Sequence, residues 1–276
     1  MAILDIENAV KQYIQKYNYI APGYTLDLSN IKLDYNSIKQ NKINILGPGT
    51  SVVIKETISN SSTTIPIKSK TFSFSEDITD QTSTTTVEGI TKGTQNSMTS
   101  GTSLDFKGIG SANNSITKQI TFQYNLSNTT AVTTTILRKW VSSYMVDIPT
   151  QTKAIAIFTI NKGRFDIIYD VDVVISGHFL ATNKSAGSSN PFAPQGPSNT
   201  EFSSPLAYAL QGLPNVTVDN PANAQIAYFK GQIRIVGELG VDSTIDLTTE
   251  PIGTSTIPPS TIRVAQQQSP STILFG

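Results

Sequence analysis

The segment 94–126 constrains the fold of this chain more than any other part of the sequence. On both sides of a glycine-rich centre at 107–113, its apolar residues fall on even positions, with small or polar residues between them. A period of two with a turn in the middle predicts a β-hairpin with one apolar and one polar face. The apolar residues that carry the pattern are Met98, Leu104, Phe106, Ile116, Ile120, Phe122 and Tyr124.

The composition around this hairpin leaves two interpretations open. Serine and threonine make up 33 of the 80 residues from 56 to 135, so the region favours strands but has little to bury. The hairpin is either an ordinary amphipathic hairpin over the core of a soluble β protein, or one that is soluble at first and later faces lipid.

Length and energy both permit the second interpretation. An arm of about 11 residues tilted near 40° rises about 28 Å, close to the hydrocarbon thickness of a bilayer. About six apolar side chains entering lipid supply roughly 10–15 kcal/mol, whereas Lys118, on the same parity, costs about 2–4 kcal/mol near the midplane. Because lipid does not tolerate unpaired strand edges, insertion requires a closed barrel built from several chains.

Composition excludes several classes of protein. The chain has 276 residues and a net charge of zero, so no basic surface for nucleic acid is expected. It has no cysteine and one histidine, which excludes thiol catalysis and the common zinc sites. No stretch approaches 18 apolar residues, and residues 1–7 do not look like a secretory signal. Any membrane activity is therefore expected to come from β structure.

The rest of the pattern predicts a mainly β protein with long antiparallel strands. Residues 5–17 have helical apolar spacing, whereas 178–222 is rich in glycine and proline and is expected to be a loop-rich insertion. Beyond Pro251 the chain is expected to be weakly ordered. The candidate strands are 52–58, 65–74, 82–90, 133–148, 152–160, 164–175, 224–239 and 244–248.

No active site, cofactor site or metal site is apparent. His178 would have to serve any Ser-His-Asp triad, and without a G-x-S-x-G motif it is better explained as a structural residue at a strand end. Asp166, Asp170 and Asp172 share a strand face that is better explained as solvated than as a calcium site. Trp140 is expected to anchor the core.

Aromatic residues are concentrated near the N-terminus and in 178–222. Five of the ten tyrosines lie in the first 35 residues. They either pack a small helix onto a sheet or form a surface that meets a receptor glycan or lipid headgroup. The candidate receptor-binding residues are Tyr17, Tyr19, Tyr24, Phe192, Phe202 and Tyr208.

In order, the chain has a tyrosine-rich helix, long Ser/Thr-rich strands, an amphipathic hairpin between threonine runs at 84–86 and 133–135, Trp140 and a strand at 152–160. This order resembles aerolysin-type β-pore-forming toxins, in particular the epsilon-toxin and mosquitocidal-toxin branch with its crystal toxins and parasporins. The resemblance rests on pattern over nearly the whole chain. The charged Lys118 and the small number of large apolar residues in the hairpin depart from the family.

The resemblance implies an elongated β protein whose segments have different functions. Residues 1–46 would form a receptor-binding head joined in space by 178–222, residues 47–177 a β body carrying the hairpin, and 223–276 return strands and a tail. It further implies proteolytic trimming, followed by binding to a membrane and to a surface receptor, which is a glycan, a lipid or an anchored protein. The bound protein would assemble into a homo-oligomer, commonly a heptamer. No cofactor is implied. The opening 1–5 looks like that of crystal proteins, which implies storage as an intracellular inclusion before release.

The end of the chain contains a candidate cleavage site, and the fold also permits a second function. Arg263 is the last basic residue and stands in a Pro/Ser/Thr/Gln-rich segment, so it is the candidate site of activating cleavage. The alternative function is a non-toxic crystal, storage or carbohydrate-binding protein of the same fold.

Overall fold

A computed structural model of the chain describes residues 2–17, 24–91, 97–107, 115–183, 201–253, 260–266 and 271–272. Strands dominate, and neither helix within these ranges is long and apolar enough to cross a membrane. The elements are β1 (Ala2–Asp5), α1 (Ile6–Tyr17), β2 (Tyr24–Asp27), β3 (Lys32–Pro48), β4 (Val52–Asn60), β5 (Ile67–Thr91), β6 (Met98–Phe106), β7 (Ile116–Tyr124), β8 (Val132–Ile148), β9 (Thr152–Ser176), β10 (His178–Asn183), β11 (Glu201–Pro205), α2 (Leu206–Leu210), β12 (Val216–Val218), β13 (Ile226–Pro251), β14 (Ser260–Gln266) and β15 (Ser271–Thr272).

The central sheet is built around two very long strands. β9 and β13 pair antiparallel along their whole lengths, from Ile226 opposite Ser176 to Pro251 opposite Thr152. At about 3.3 Å per residue, the 25 residues of β9 span roughly 80 Å. β3 and β4 pair in succession along the other edge of β9. Among the described residues, ten strands join this sheet. The prediction of a mainly β protein with long antiparallel strands is confirmed.

The sheet has a core at each end, on opposite faces of β9. Between 165 and 175 the odd-numbered residues of β9 are buried, whereas between 154 and 160 the even-numbered ones are. Because successive strand residues point to opposite faces, the two cores lie on the two sides of the strand. Around the second core, β5 and β8 form a covering layer, and Phe74 of β5 stacks on Phe158 with ring centroids 5.2 Å apart. Trp140, on β8, is 1% exposed, so the expected core anchor is confirmed.

The hairpin and the helices cover the first core. β6 and β7 form a two-stranded sheet of their own that lies on the odd-numbered face of β9. α1 buries Ile6, Val10 and Ile14 in the same core, as its spacing predicts. The ten-stranded sheet with α1 and α2, hereafter the body, therefore carries the hairpin as a separate layer.

The segments near the N-terminus and in 178–222 meet in a small sheet. β10 lies between β2 and β11, and α1 packs against α2. The segment 178–222 thus contains β10, β11, α2 and β12, so the expectation that it is loop-rich is wrong for its described residues. Phe179 and Leu206 are fully buried there, which holds these elements to the body despite their glycine and proline content.

Several strand predictions also need correction. The candidates 152–160 and 164–175 are parts of one strand, β9, and 224–239 and 244–248 are parts of another, β13. β3 was not predicted, because its apolar residues are interrupted by three bulges and by polar residues such as Asn41 and Asn44. The candidate strands 65–74 and 82–90 are parts of one strand, β5, in which the intervening residues remain paired with β8. The tail beyond Pro251, expected to be weakly ordered, includes β14, which pairs with β13.

Candidate functional site

The hairpin pairs in register along its arms. Met98 lies opposite Tyr124 and Phe106 opposite Ile116, while 94–96 and 108–114 lie outside the described residues. The even-numbered side chains face the body: Leu104 and Phe106 are 0% exposed and Phe122 is 1% exposed. The odd-numbered residues of both strands are exposed. The predicted two-faced pattern is therefore present, with the apolar face on the protein core.

Side-chain packing holds the hairpin on the body. The ring centroid of Phe106 is 6.5 Å from that of Phe165 on β9, and the centroid of Phe122 is 5.4 Å from that of Tyr169. Near the middle of the face, the Thr102 hydroxyl donates to Gln40 Oε1 at 3.3 Å. Within the described ranges, β6 and β7 share no ladder with another strand. The hairpin can therefore leave without breaking the backbone pairing of the central sheet.

The end of the hairpin opposite its turn, just after β7, is hydrogen-bonded to β5. The Ile90 N–H donates to the Leu126 carbonyl at 2.8 Å, and the Thr86 hydroxyl donates to the Asn125 carbonyl at 2.6 Å. Leu126 is 1% exposed. These contacts fix residues 125–126, which follow β7, to β5.

A polar cluster lies under the hairpin where the two cores meet. Asp80 pairs with Arg138 and also accepts the Gly240 N–H at 2.7 Å. Burial raises the pKa of the Asp80 carboxyl, although both of these contacts oppose the change. Lys118, on the apolar face of the hairpin, places Nζ 5.5 Å from the ring centroid of Trp140. Burial, and secondly the charge of Arg138, lower the pKa of Lys118. Sequence parity placed Lys118 on this face but gave no sign of Asp80 or Arg138.

The candidate receptor-binding residues are only partly brought together. Tyr19 and Phe192 lie outside the described residues, and Tyr17 is the last residue of α1. Tyr24, Phe202 and Tyr208 are half-buried and pack against the first core, where the Phe202 ring lies 5.8 Å from that of Phe179. A cavity of about 550 Å³ opens between α1 and α2, lined by Tyr13, Lys16, Tyr208 and Gln211 among others.

The acidic face of β9 is satisfied by protein donors. The Arg234 guanidinium donates two hydrogen bonds to Asp166, at 2.9 and 2.7 Å, and lowers the pKa of that carboxyl. Asp170 accepts from Asn41 and Gln232, and Asp172 from Ser37. No group of three potential metal ligands occurs in the part of the chain that the structure describes. His178 is exposed at the start of β10.

The candidate cleavage site lies within a strand. Arg263 is in β14, opposite Asp246 of β13. β14 occupies the edge of β13 between 243 and 249, beyond the part of β13 that pairs with β5. Cleavage at this peptide therefore requires β14 to detach first, since a paired strand does not fit a protease cleft.

Comparison with known proteins supplies the family context. The family model described as Clostridium epsilon toxin ETX/Bacillus mosquitocidal toxin MTX2 matches residues 6–257. No curated protein sequence matches the chain. Similar solved structures include the Cry23Aa1 and Cry37Aa1 binary complex, with 24% identity, a TM-score of 0.70 and coverage of 99% of this chain and 100% of that one.

Two further solved structures are similar over most of this chain. A non-toxic crystal protein from Bacillus thuringiensis is 22% identical with a TM-score of 0.66, over 91% of this chain and 98% of that chain. The Mpp75Aa1.1 beta-pore-forming protein from Brevibacillus laterosporus is 14% identical with a TM-score of 0.53, over 99% of this chain and 100% of that chain. At these identities the likeness concerns the fold.

Proposed function

Because this chain belongs to the family of Clostridium epsilon toxin and Bacillus mosquitocidal toxin, we propose that it is a pore-forming protoxin. It binds a target-cell surface, forms a homo-oligomer and inserts residues 94–126 as one hairpin of a transmembrane β-barrel. In this proposal the soluble form stores the lipid-facing residues against its own core. The fold, shared with crystal proteins and a β-pore-forming protein, supports this function.

One observation carries the proposal: the hairpin is paired to itself and docked by its apolar face. Leu104, Phe106 and Phe122 are buried on the body, although no backbone ladder joins β6 or β7 to the described strands of the central sheet. Docking thus depends on apolar burial, which a bilayer can replace. Backbone pairing to neighbouring hairpins in an oligomer would satisfy the strand edges that lipid does not tolerate.

The remaining steps of the proposal are supported by family membership. We propose that Tyr17, Tyr19, Tyr24, Phe192, Phe202 and Tyr208 take part in recognising a surface glycan, lipid or anchored protein. Release of the chain after Arg263 removes the 264–266 part of β14 and so frees the edge of β13 at 243–245. The active assembly is a ring, with seven copies as the expected number. In the producing bacterium the protein is stored as an inclusion and acts after release.

A cross-link between hairpin and body tests the proposal. The chain has no cysteine, so Gln40→Cys and Thr102→Cys can be joined by a short bis-maleimide where the native side chains are 3.3 Å apart. Trypsin-treated wild type should release dye from liposomes made with target-cell lipids, and the cross-linked protein should not. The two single-cysteine variants treated with the same reagent are the controls and should leak. Leakage from the cross-linked protein would show that the pore forms without release of the hairpin.

The alternative is a non-toxic crystal, storage or carbohydrate-binding protein of the same fold. The observation behind this alternative is the structural likeness to a non-toxic crystal protein. It predicts cell or glycan binding without oligomers or leakage, even after protease treatment. Size measurement of the trypsin-treated protein with membranes separates the two functions.

A further inference from the structure

The apolar contact between hairpin and body is interrupted by a cavity of about 220 Å³ whose lining combines apolar and charged side chains. The hairpin contributes Lys118 and Ile120 to its lining, and the body contributes Asp80, Arg138 and Gly240. Leu104, directly opposite Lys118 across the hairpin, is fully buried. The interface therefore changes within one cross-strand pair from close apolar packing to a cavity with a charged lining.

β5, β7 and β8 each bring one charged side chain to the cavity, and the charge of Asp242 on β13 also acts on Lys118. The two carboxylates have partners within the body. Asp80 of β5 pairs with Arg138 of β8 and accepts the Gly240 N–H. Asp242 of β13 accepts a hydrogen bond from Asn161 Nδ2 of β9 at 2.8 Å. These contacts lie within the body and do not depend on a docked hairpin. Lys118 of β7 adds a second cation beside Arg138.

The docked site stabilises the charged form of Lys118 less than water does. Its contact with the Trp140 ring is favourable, by up to about 2 kcal/mol for a desolvated pair. Burial and the charge of Arg138 act in the opposite direction and lower the pKa of Lys118, despite Asp80 and Asp242. A group whose pKa falls on docking weakens the docked state at every pH at which it remains charged.

We propose that Lys118 is a positioning residue that sets how readily the hairpin leaves the body: its charged side chain over the cavity keeps the docked state less stable than a continuous apolar face would. The link from release to leakage rests on the proposed function. In an inserted barrel Lys118 would lie two residues from the start of β7, near the turn, where its long side chain can reach headgroups. The charge is then better accommodated in the pore than in the soluble form.

Hydrogen exchange of the soluble protein, without membranes, tests the docking step. Lys118→Met keeps the length of the side chain and removes the charge, so the amides of β6 and β7 should exchange about tenfold more slowly than in wild type. An undocked two-stranded hairpin has little stability in water, so exchange reports undocking. Lys118→Arg keeps the charge and should exchange at the wild-type rate. Equal or faster exchange in Lys118→Met would overturn the proposal.

Leakage separates control of release from the cost of inserting a charge. If insertion of the charge limited the rate, Lys118→Met would leak faster, because methionine enters lipid more readily than lysine. If release limits the rate, Lys118→Met should leak more slowly at equal amounts of bound protein. Faster leakage overturns the role assigned to Lys118. If neither protein leaks, the pore function fails, and the exchange result still decides whether Lys118 weakens docking.

Discussion

Phe106 of the hairpin lies directly on the backbone of Gly163 in β9. A Cβ atom at 163 would lie 2.7 Å from Cδ1 and Cε1 of the Phe106 ring and 2.8 Å from Cγ2 of Val241, distances that real Cβ contacts do not reach. Because Gly163 has no side chain, the Phe106 ring packs against its backbone and is fully buried there. Gly163 also lies where the buried face of β9 changes, between the two cores.

Gly163→Ala is expected to loosen the hairpin without altering its own sequence. The added methyl group must displace Phe106 or Val241, and such overpacking costs about 1–3 kcal/mol. The hairpin amides should exchange faster, and leakage after trypsin treatment should begin sooner. Hydrogen exchange and dye release measure the two effects.

Gly101→Ala is the matched control for this substitution. Gly101 lies on the exposed face of β6, and the nearest atom to an added Cβ is the Ile120 carbonyl oxygen at 3.4 Å, an ordinary contact distance. This variant should keep wild-type exchange and leakage. Unchanged exchange in Gly163→Ala would mean that Phe106 does not hold the hairpin in place.

The hairpin could be predicted from sequence because it follows a local rule. Strict alternation specifies which face is buried, and it does so whether that face meets a protein core or lipid. It places Phe106 and Phe122 on the face that the structure buries. The partners of the hairpin could not be predicted. Gly163, Asp80 and Arg138 come from three separate strands, and they meet the hairpin only through the tertiary fold.

The segments around the small sheet show the opposite case. Local glycine and proline content predicted loops at 178–222, yet β10 and β11 form because β2 and the first core give them a partner and a buried face. Likewise, β3 has weak alternation of its own and forms because β9 offers a long edge. Where the neighbouring strand supplies most of the stabilisation, propensity is a poor guide.

The Phe202 ring should contribute to stability, whereas the Tyr208 hydroxyl should matter only for a receptor contact. Phe202→Ala removes a half-buried ring that packs on Phe179, so the melting temperature should fall. Tyr208→Phe keeps the packing and removes a hydroxyl that donates to the Ala222 carbonyl at 3.4 Å, a weak bond. Tyr208→Phe should therefore melt as wild type does. If the Tyr208 hydroxyl contacts a receptor, cell binding should fall severalfold in this variant; unchanged binding would exclude that contact.

The Asp166–Arg234 pair should make part of the stability depend on pH. Arg234 lowers the pKa of the Asp166 carboxyl in the folded protein, so the pair adds stability above the ordinary carboxyl pKa of about 4. That contribution disappears as the pH falls through the lowered pKa. Asp166→Asn should cost about 1 kcal/mol at pH 7, since one partner is half-exposed. The difference from wild type should shrink toward pH 3 in urea titrations.

Asp34→Asn provides the comparison for this pH series, because Asp34 is exposed on β3. It should change the free energy of unfolding little at either pH. A difference between Asp166→Asn and wild type that stays constant from pH 7 to pH 3 would show that the substitution acts through packing rather than through the charge of Asp166.

The position of Arg263 inside β14 predicts that activating cleavage is slow and depends on strand detachment. Trypsin should remove 264–276 from wild type, and mass spectrometry should show the product ending at Arg263. Arg263→Gln should bind cells as wild type does but form no high-mass oligomer after trypsin treatment.

A disulfide across the two strands tests whether β14 must leave β13 before the peptide fits the protease. Thr248 and Thr261 lie opposite each other, so a variant with Thr248→Cys and Thr261→Cys should resist cleavage when oxidised and be cleaved again when reduced. An active oligomer that retains an intact C-terminus would contradict Arg263 as the activation site, while leaving the role of the hairpin unaffected.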